Sequence, residues 1–294
     1  MVDMTWSAFF NLLISGLAMG AVYGLVALSY NLVYATRNIV NFAQGELVVL
    51  AMMLGVTLHV TQGLPLWVAF IMAAVVVALV SLLIEYLAVR VVGDVNNNFI
   101  WIMSTFGFGI ALNQLVQKIW GTEPIGFPKW IGGNEPWRSG DLVVLPQEVG
   151  IIVIAVVATI LLEVYRRSTL FGKAVRATSL DRSTAELMGI RTARVVASSY
   201  LMAGVFATLI GFLIAPVRFA DPHAGIVLGI KGFIALVVGG LGSSVGGFLG
   251  GVFLGLLEVI SSTVFSEVWK DVITFLVLIV VMAVRPQGFF TRWK

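Results

Sequence analysis

The 294 residues are 59% hydrophobic and only 11% charged, with a mean hydropathy of +1.01. A soluble globular domain carries roughly 25% charged residues, so this composition excludes that class and implies a polytopic membrane protein. The net charge of +3 fits basic loops beside anionic lipid, with no nucleic-acid partner, and the absence of cysteine removes disulfides, thiolate catalysis and Cys-based metal sites.

No hydrophilic stretch is long enough for a separate soluble domain, so residues 1–294 read as one transmembrane domain. The opening MVDMTWSAFF carries Asp3 and no basic residue, which predicts a retained first span rather than a cleaved signal peptide. That span runs from Ala8 to about Tyr34, with Gly16, Gly20 and Gly24 at four-residue spacing, a pattern that lets helices pack backbone to backbone. Arg37 marks a membrane edge, and Asn41, Gln44 and Glu46 lead into a second apolar run ending near Val60. Three polar side chains entering a span must face protein or water. A third span opens at Pro65 and Trp67 and ends between Glu85 and Arg90, where Arg90 places the turn at 93–98 on the cytoplasmic side. The fourth covers Phe99 to Trp120. A Gly-, Pro- and Trp-rich loop follows, read as external and as a structured loop rather than a helix, with Trp120, Trp130 and Trp137 at the interface.

Gly150 to Tyr165 returns the chain to a basic loop at about 166–194, where Arg166, Arg167, Lys173, Arg176, Arg182, Arg191 and Arg194 face only Glu163, Asp181 and Glu186. Short basic loops lie on the cytoplasmic side, and this one sets the orientation. Within it Leu180, Leu187 and Met188 fall near one face of a short surface helix suited to docking. The next span runs from Val195 to about Ala215, and Pro216, Arg218, Asp221, Pro222 and His223 read as an external turn. Residues 225–262 hold two apolar pieces joined by a glycine-dense break, which either both cross or form a re-entrant pair. A last span, Val272 to Val284, ends at Arg285, Arg292 and Lys294, which place the C-terminus inside and, by counting back, the N-terminus outside. The fold class is therefore all-α, with about seven to nine transmembrane helices.

Sites for chemistry are few. Gly172-Lys173 is followed by Ala174, so there is no P-loop, and His59 and His223 stand near different turns, with no second partner for a metal or a nucleophile. No catalytic residue, metal or cofactor is assigned, and the chain reads as a non-enzyme. Gly240 to Ser244 reads as helix packing rather than a serine nucleophile. Glu85 and Glu258 read as helix-end carboxylates in water, whereas Glu46 stands equally as such a group or as part of a polar patch with Asn41 and Gln44. The candidate pathway residues are Asn31, Asn41, Gln44, Glu46, Gly242 and Ser243.

Residues 16–46, GLAMGAVYGLVALSYNLVYATRNIVNFAQGE, resemble the opening of the permease subunits of branched-chain amino-acid-type ABC importers. Two further blocks carry the resemblance across the chain: Gly172-Lys173-Ala174-Val175-Arg176-Ala177 with Leu187-Met188-Gly189-Ile190, and Gly239 to Ser243 with Gly246-Gly247 and Leu256 to Glu258. The resemblance implies a second homologous permease, two cytoplasmic ATP-binding subunits, a periplasmic solute-binding protein and a bacterial inner-membrane location. It also implies a loop that couples to the ATPases, here Arg182, Ser183, Thr184, Ala185, Glu186, Leu187 and Gly189. Against the general Glu-Ala-Ala-x-x-x-Gly pattern of such loops only Ala185 and Gly189 match, and the following Leu-Pro is absent because Leu201 precedes Met202. Similar subunits carry branched-chain amino acids, urea, amides or aromatic acids. Two other classes fit the composition: a passive facilitator, and an ion-coupled carrier for which Glu46 is the first coupling candidate.

Overall fold

The structure is a computed structural model that describes residues 6–91, 100–133, 135–139, 142–285 and 287–290; the turn at 93–98, Asp3, Arg292 and Lys294 lie outside them. Apolar runs become helices here because membrane depth offers no water to unpaired backbone groups. They are α1 (Trp6–Arg37), α2 (Gln44–Gly55, continued as a wider π-helical turn over Val56–Thr61), α3 (Leu66–Ile84, continued likewise over Glu85–Arg90), α4 (Ile100–Trp120) and α5 (Pro146–Ser168). The basic loop folds into α6 (Leu170–Leu180) and α7 (Arg182–Leu187), and the chain goes on through α8 (Thr192–Arg218), α9 (Ala224–Gly239), α10 (Ser244–Val264) and α11 (Trp269–Val284). Six of these, α1, α2 and α3 with their continuations, α5, α8 and α10, are long and apolar enough to cross a membrane, and α9 is a shorter apolar helix. The loop after α4 holds a short hairpin, in which Trp137–Ser139 (β1) pairs antiparallel with Leu142–Val144 (β2).

α1 is the axis of the bundle. Leu25, Val26, Ala27 and Leu28 are fully buried at its centre. α10 runs antiparallel along it, with Gly16 opposite Gly255 and Val259, Gly20 opposite Gly251 and Val252, Gly24 opposite Phe248, and Asn31 reaching Gly242 and Ser243. A Cβ placed on Gly20 would sit 2.8 Å from Val252 Cα, so the two backbones are in contact. From Asn31 to Gly16 the pair runs side by side for about 22 Å at 1.5 Å per residue, most of a hydrocarbon core. The glycine-dense break is thus a tight turn between two antiparallel helices, made with Gly240 at φ +111 and Gly242 at φ +85. Only glycine takes such angles without strain.

Two helices begin inside the molecule rather than at its edge. α1 stops at Asn38 (φ +54), and Ile39, Val40 and Asn41 continue as buried, non-helical chain before α2 starts. The Gln44 Nε2 donates to Ala203 O at 3.0 Å, and Ala203 lies about 17 Å along α8 from its start at Thr192. α9 starts beside α2, its Gly225 stacked on Gly45 and Glu46. The outer faces of α3 and α5 present Ile71, Val75 and Leu79, and Val153, Val157 and Ile160, to the lipid.

Three sequence expectations change. Pro216 and Arg218 belong to the last turn of α8, not to an external turn. Glu85 is 1% and Glu258 7% exposed, so neither is a helix-end carboxylate in water. Each has a basic partner that releases it from that role: Arg90 at 3.0 Å for Glu85 and Lys231 at 2.7 Å for Glu258.

Backbone contact makes a clear prediction. Gly20→Ala is expected to cost about 1–3 kcal/mol by overpacking, read as a lower unfolding temperature in detergent. Gly107→Ala, where a Cβ meets nothing within 4 Å on α4, is expected to be neutral or stabilising by up to about 1 kcal/mol.

Candidate translocation site

The interior starts of α2 and α9 converge on Glu46, the third residue of α2, which is 4% exposed. Its carboxylate lies against the first turn of α9 at Gly225, where a Cβ would collide with it. Two helix N-termini therefore direct partial positive charge at one carboxylate. From α4 the Asn113 amide donates to Glu46 Oε2 at 2.8 Å and to Pro222 O at 2.8 Å, and Gln117 Nε2 donates to Asn113 Oδ1 at 2.5 Å. No salt bridge reaches Glu46 among the described residues.

Beside this group is a cavity of about 120 Å³ lined by Tyr30, Phe42, Glu46, Phe106, Gly109 and Asn113 on one part and by the first turns of α9 on the other. It opens to the surface between Phe106 and Ile110 of α4 and Ile226 and Ile230 of α9, all exposed. On the side of the basic loop it ends on aromatic rings: Phe42 stacks on Trp101 at 6.4 Å and tilts against Phe233 at 5.6 Å. Below the opening α4 carries Gln114 and Lys118, exposed, beside the half-buried Asn113 and Gln117. At membrane depth a polar stripe of this kind is incompatible with lipid and calls for water or protein beside it.

The six sequence-predicted pathway residues separate into three groups. Only Glu46 reaches the cavity. Asn41 and Gln44 lie fully buried behind it, and Asn41 Nδ2 and Gln44 Oε1, with Arg37 Nε and Tyr200 Oη, are the buried side-chain atoms without hydrogen-bond partners among the described residues. Asn31 clamps the α9–α10 turn, donating to Ser243 O and accepting from Gly242 N, both at 2.8 Å. Asn113, Gln114 and Gln117 were missed by the sequence reading, although their three- and four-residue spacing on an apolar helix was a visible signal.

Lys231 was missed as well. Its Nζ lies 2.7 Å from Glu258 Oε1 and 3.0 Å from Asp271 Oδ1, while the Tyr23 hydroxyl donates to Glu258 Oε2 at 2.9 Å and Thr274 donates to Glu258 Oε1 at 3.4 Å. This cluster ties α1, α9, α10 and α11 together inside the bundle.

The predicted coupling residues form one rigid knuckle. Asp181 caps α7, its Oδ1 accepting from the Ser183 and Thr184 amides at 2.9 and 3.1 Å and its Oδ2 from the Thr184 hydroxyl at 2.7 Å. Gly189 at φ +86 closes the helix, with Gly189 N to Glu186 O and Ile190 N to Ala185 O both at 3.0 Å, the paired bonds of a Schellman end. Arg182 pairs with Glu186 at 3.2 Å, and Thr192 of α8 donates to the same carboxylate. Ala185 faces inward, Ser183 and Thr184 face solvent, and Leu187 and Met188 project with 88% and 79% exposure. The hydroxyl and amide donors hold the Asp181 carboxyl well below its ordinary 3.8, at about 2.

Membrane-length helices packed around an interior carboxylate and a cavity open at one side make this a polytopic membrane protein with a candidate passage. The chain belongs to the family of permease components of branched-chain amino acid transport systems, whose profile matches residues 12–282, and it is a multi-pass, membrane-spanning translocation subunit. It is 30% identical over 301 residues to the high-affinity branched-chain amino acid transport system permease protein LivH of Salmonella typhimurium, covering 97% of this chain and 96% of LivH. BraD of Pseudomonas aeruginosa, a permease protein with the same description, is 30% identical over 295 residues, 95% of each chain. Among solved structures, a chain of PsaBC from Streptococcus pneumoniae in complex with Fab shares the fold, with a TM-score of 0.51, 16% identity and coverage of 95% of this chain and 93% of that one.

Glu258→Ala is expected to cost roughly 1–3 kcal/mol, because it leaves Lys231 with only the exposed Asp271 and the buried Tyr23 hydroxyl without its acceptor. Replacing both Lys231 and Glu258 with methionine should recover most of that loss in detergent unfolding. At the knuckle, the Asp181 cap is fully present above the ordinary carboxylate value of 3.8 and is lost as pH falls through about 2. Asp181→Ala should reproduce that loss at neutral pH as faster amide exchange at Ser183 and Thr184, and Asp181→Asn, which still caps, should not.

Proposed function

We propose that this chain is the permease subunit of an ATP-driven importer of branched-chain amino acids or closely related solutes. It pairs with a second, homologous permease over the α4–α9 face, two cytoplasmic ATPases bind under the 166–194 loop, and a periplasmic binding protein delivers the solute to the opposite face. The observation that carries this reading is the polar stripe of Asn113, Gln114, Gln117 and Lys118 at the mouth of the Glu46 cavity. A lone chain would expose that stripe to lipid, whereas a second permease turns it into the wall of a watered passage.

In this reading the basic loop lies in the cytoplasm of a bacterial cell, the N-terminus outside and the C-terminus inside, and the chain performs no catalysis. Leu187 and Met188 form the apolar tip that seats in a groove of the ATPase. Arg182, Ser183, Thr184, Ala185, Glu186 and Gly189 keep that tip rigid. The Thr192–Glu186 contact links the knuckle to α8. α8 in turn carries Ala203, which holds Gln44 at the start of α2, and Gly211, whose backbone lies against Val48 and Met52. A push on α7 thus has a continuous packed route to Glu46. A passive facilitator has no use for so exposed and rigid a knuckle.

Replacing Leu187 and Met188 together with aspartate is expected to lower ATP-driven leucine uptake at least tenfold while the permease pair still assembles. Gly189→Val, which cannot hold φ +86 without strain, should act in the same direction. Purification through a tag after Lys294 from cells expressing the native operon should recover ATPases and a second permease. A homo-oligomer alone would overturn the proposal in favour of the facilitator.

A further inference from the structure

We propose that Glu46 is the binding point for the ammonium group of the solute in transit, so that the passage itself, and not only a binding protein, selects an amine with an apolar body. The inference rests on the import reading above and names the chemistry of its site. Glu46 is the acid of the cavity, and its Oε1 accepts no hydrogen bond among the described residues while Oε2 is held by Asn113. The N-termini of α2 and α9 favour its ionised form, and among the described residues no lysine or arginine neutralises it.

Helix N-termini, the Asn113 amide and the charge of His223 act on Glu46, but no basic side chain makes an ion pair with it among the described residues, and a carboxylate so placed in an apolar surround attracts a cation. The geometry favours an ammonium group over the alternatives. A divalent metal needs several oxygen or nitrogen ligands, and no group of three His, Cys, Asp or Glu side chains capable of holding one exists among the described residues. A free carboxylate would be repelled by Glu46, and the helix N-termini that attract anions are already occupied by it. Around the acid, Phe106, Ile110, Ile226 and Ile230 offer apolar contact, and Phe42 and Tyr30 place aromatic rings on the same cavity. Together they fit a branched aliphatic body with its ammonium group turned inward. Gly109, Gly225 and Gly229 line the same cavity, and at Gly225 only a glycine fits, because a Cβ there would collide with the Glu46 carboxylate.

The test uses the complete permease–ATPase complex without its solute-binding protein, with three probes of one shape: leucine, 3-methylbutylamine, which lacks the carboxylate, and 4-methylpentanoate, which lacks the amine. Saturation-transfer NMR should show leucine and the amine binding and competing with one another, with the acid at least tenfold weaker. Glu46→Gln should weaken leucine and the amine at least tenfold and leave the acid unchanged or improved. The wild-type competition needs no variant, so a failure of the Glu46→Gln protein to assemble does not remove the test. Equal binding of the acid, or leucine binding that survives Glu46→Gln, overturns the ammonium site. ATP-driven leucine uptake by the full system is scored separately. Absence of uptake with the amine and leucine still bound overturns the import reading and leaves the site standing.

Discussion

The contact between α1 and α10 is the constraint on which the remaining arrangement depends. Water does not drive helices together inside a bilayer, so association rests on close packing and internal hydrogen bonds. Gly16, Gly20 and Gly24 bring the backbone of α1 against Gly255 and Gly251, with Val259 and Phe248 packed beside them, and Asn31 locks the end of the seam to the α9–α10 turn. With that seam set, α9 has one place to lie, and the Lys231–Glu258–Asp271 cluster holds it there. The buried charges are costly singly and tolerable together, which makes them a registration device for helices whose glycine-rich faces would otherwise slide.

From this frame follows the unusual feature of the fold, two helices that start in the interior. Non-helical chain at membrane depth survives only where protein or water covers its polar groups. Here the break after α1 is covered by α8 and the continuation of α3, and it still leaves Asn41 and Gln44 each with an unpartnered atom. That incomplete satisfaction is what a moving part requires, because a fully bonded junction would resist rearrangement. The same break delivers Glu46 to the cavity, so the least satisfied stretch of the bundle adjoins the site where solute would pass. The rings of Phe42, Trp101 and Phe233 close the cavity toward the basic loop. Phe42 belongs to the break itself, which places the aromatic closure on the non-helical segment that joins α1 to α2.

Particular residues show how far the sequence could be read. The stripe Gly16, Gly20, Gly24 was legible as a packing face because small residues at helical spacing let membrane helices approach closely. Glu46 was legible as an acid at a span entrance. Asn31, Gly242 and Ser243, read separately as pathway candidates, meet at the α9–α10 turn, and a turn clamp and a pathway lining use the same residue types. The pairing of Glu258 with Lys231 escaped because 27 residues separate the two partners, and a lysine amid glycines carries no periodic signature.

Composition, charge placement and glycine spacing determined by themselves that this is an all-α membrane bundle with a basic loop carrying a short helix. Those properties follow from hydrophobicity and helical period, which are local along the chain. Only the tertiary structure decided that α2 and α9 begin side by side, that Asn113 bridges Glu46 to Pro222, and that Glu258 is paired rather than solvated. Each of these joins residues far apart in sequence, and the partner of a polar group in a bundle is set by which helix faces are brought together, a choice no single segment encodes.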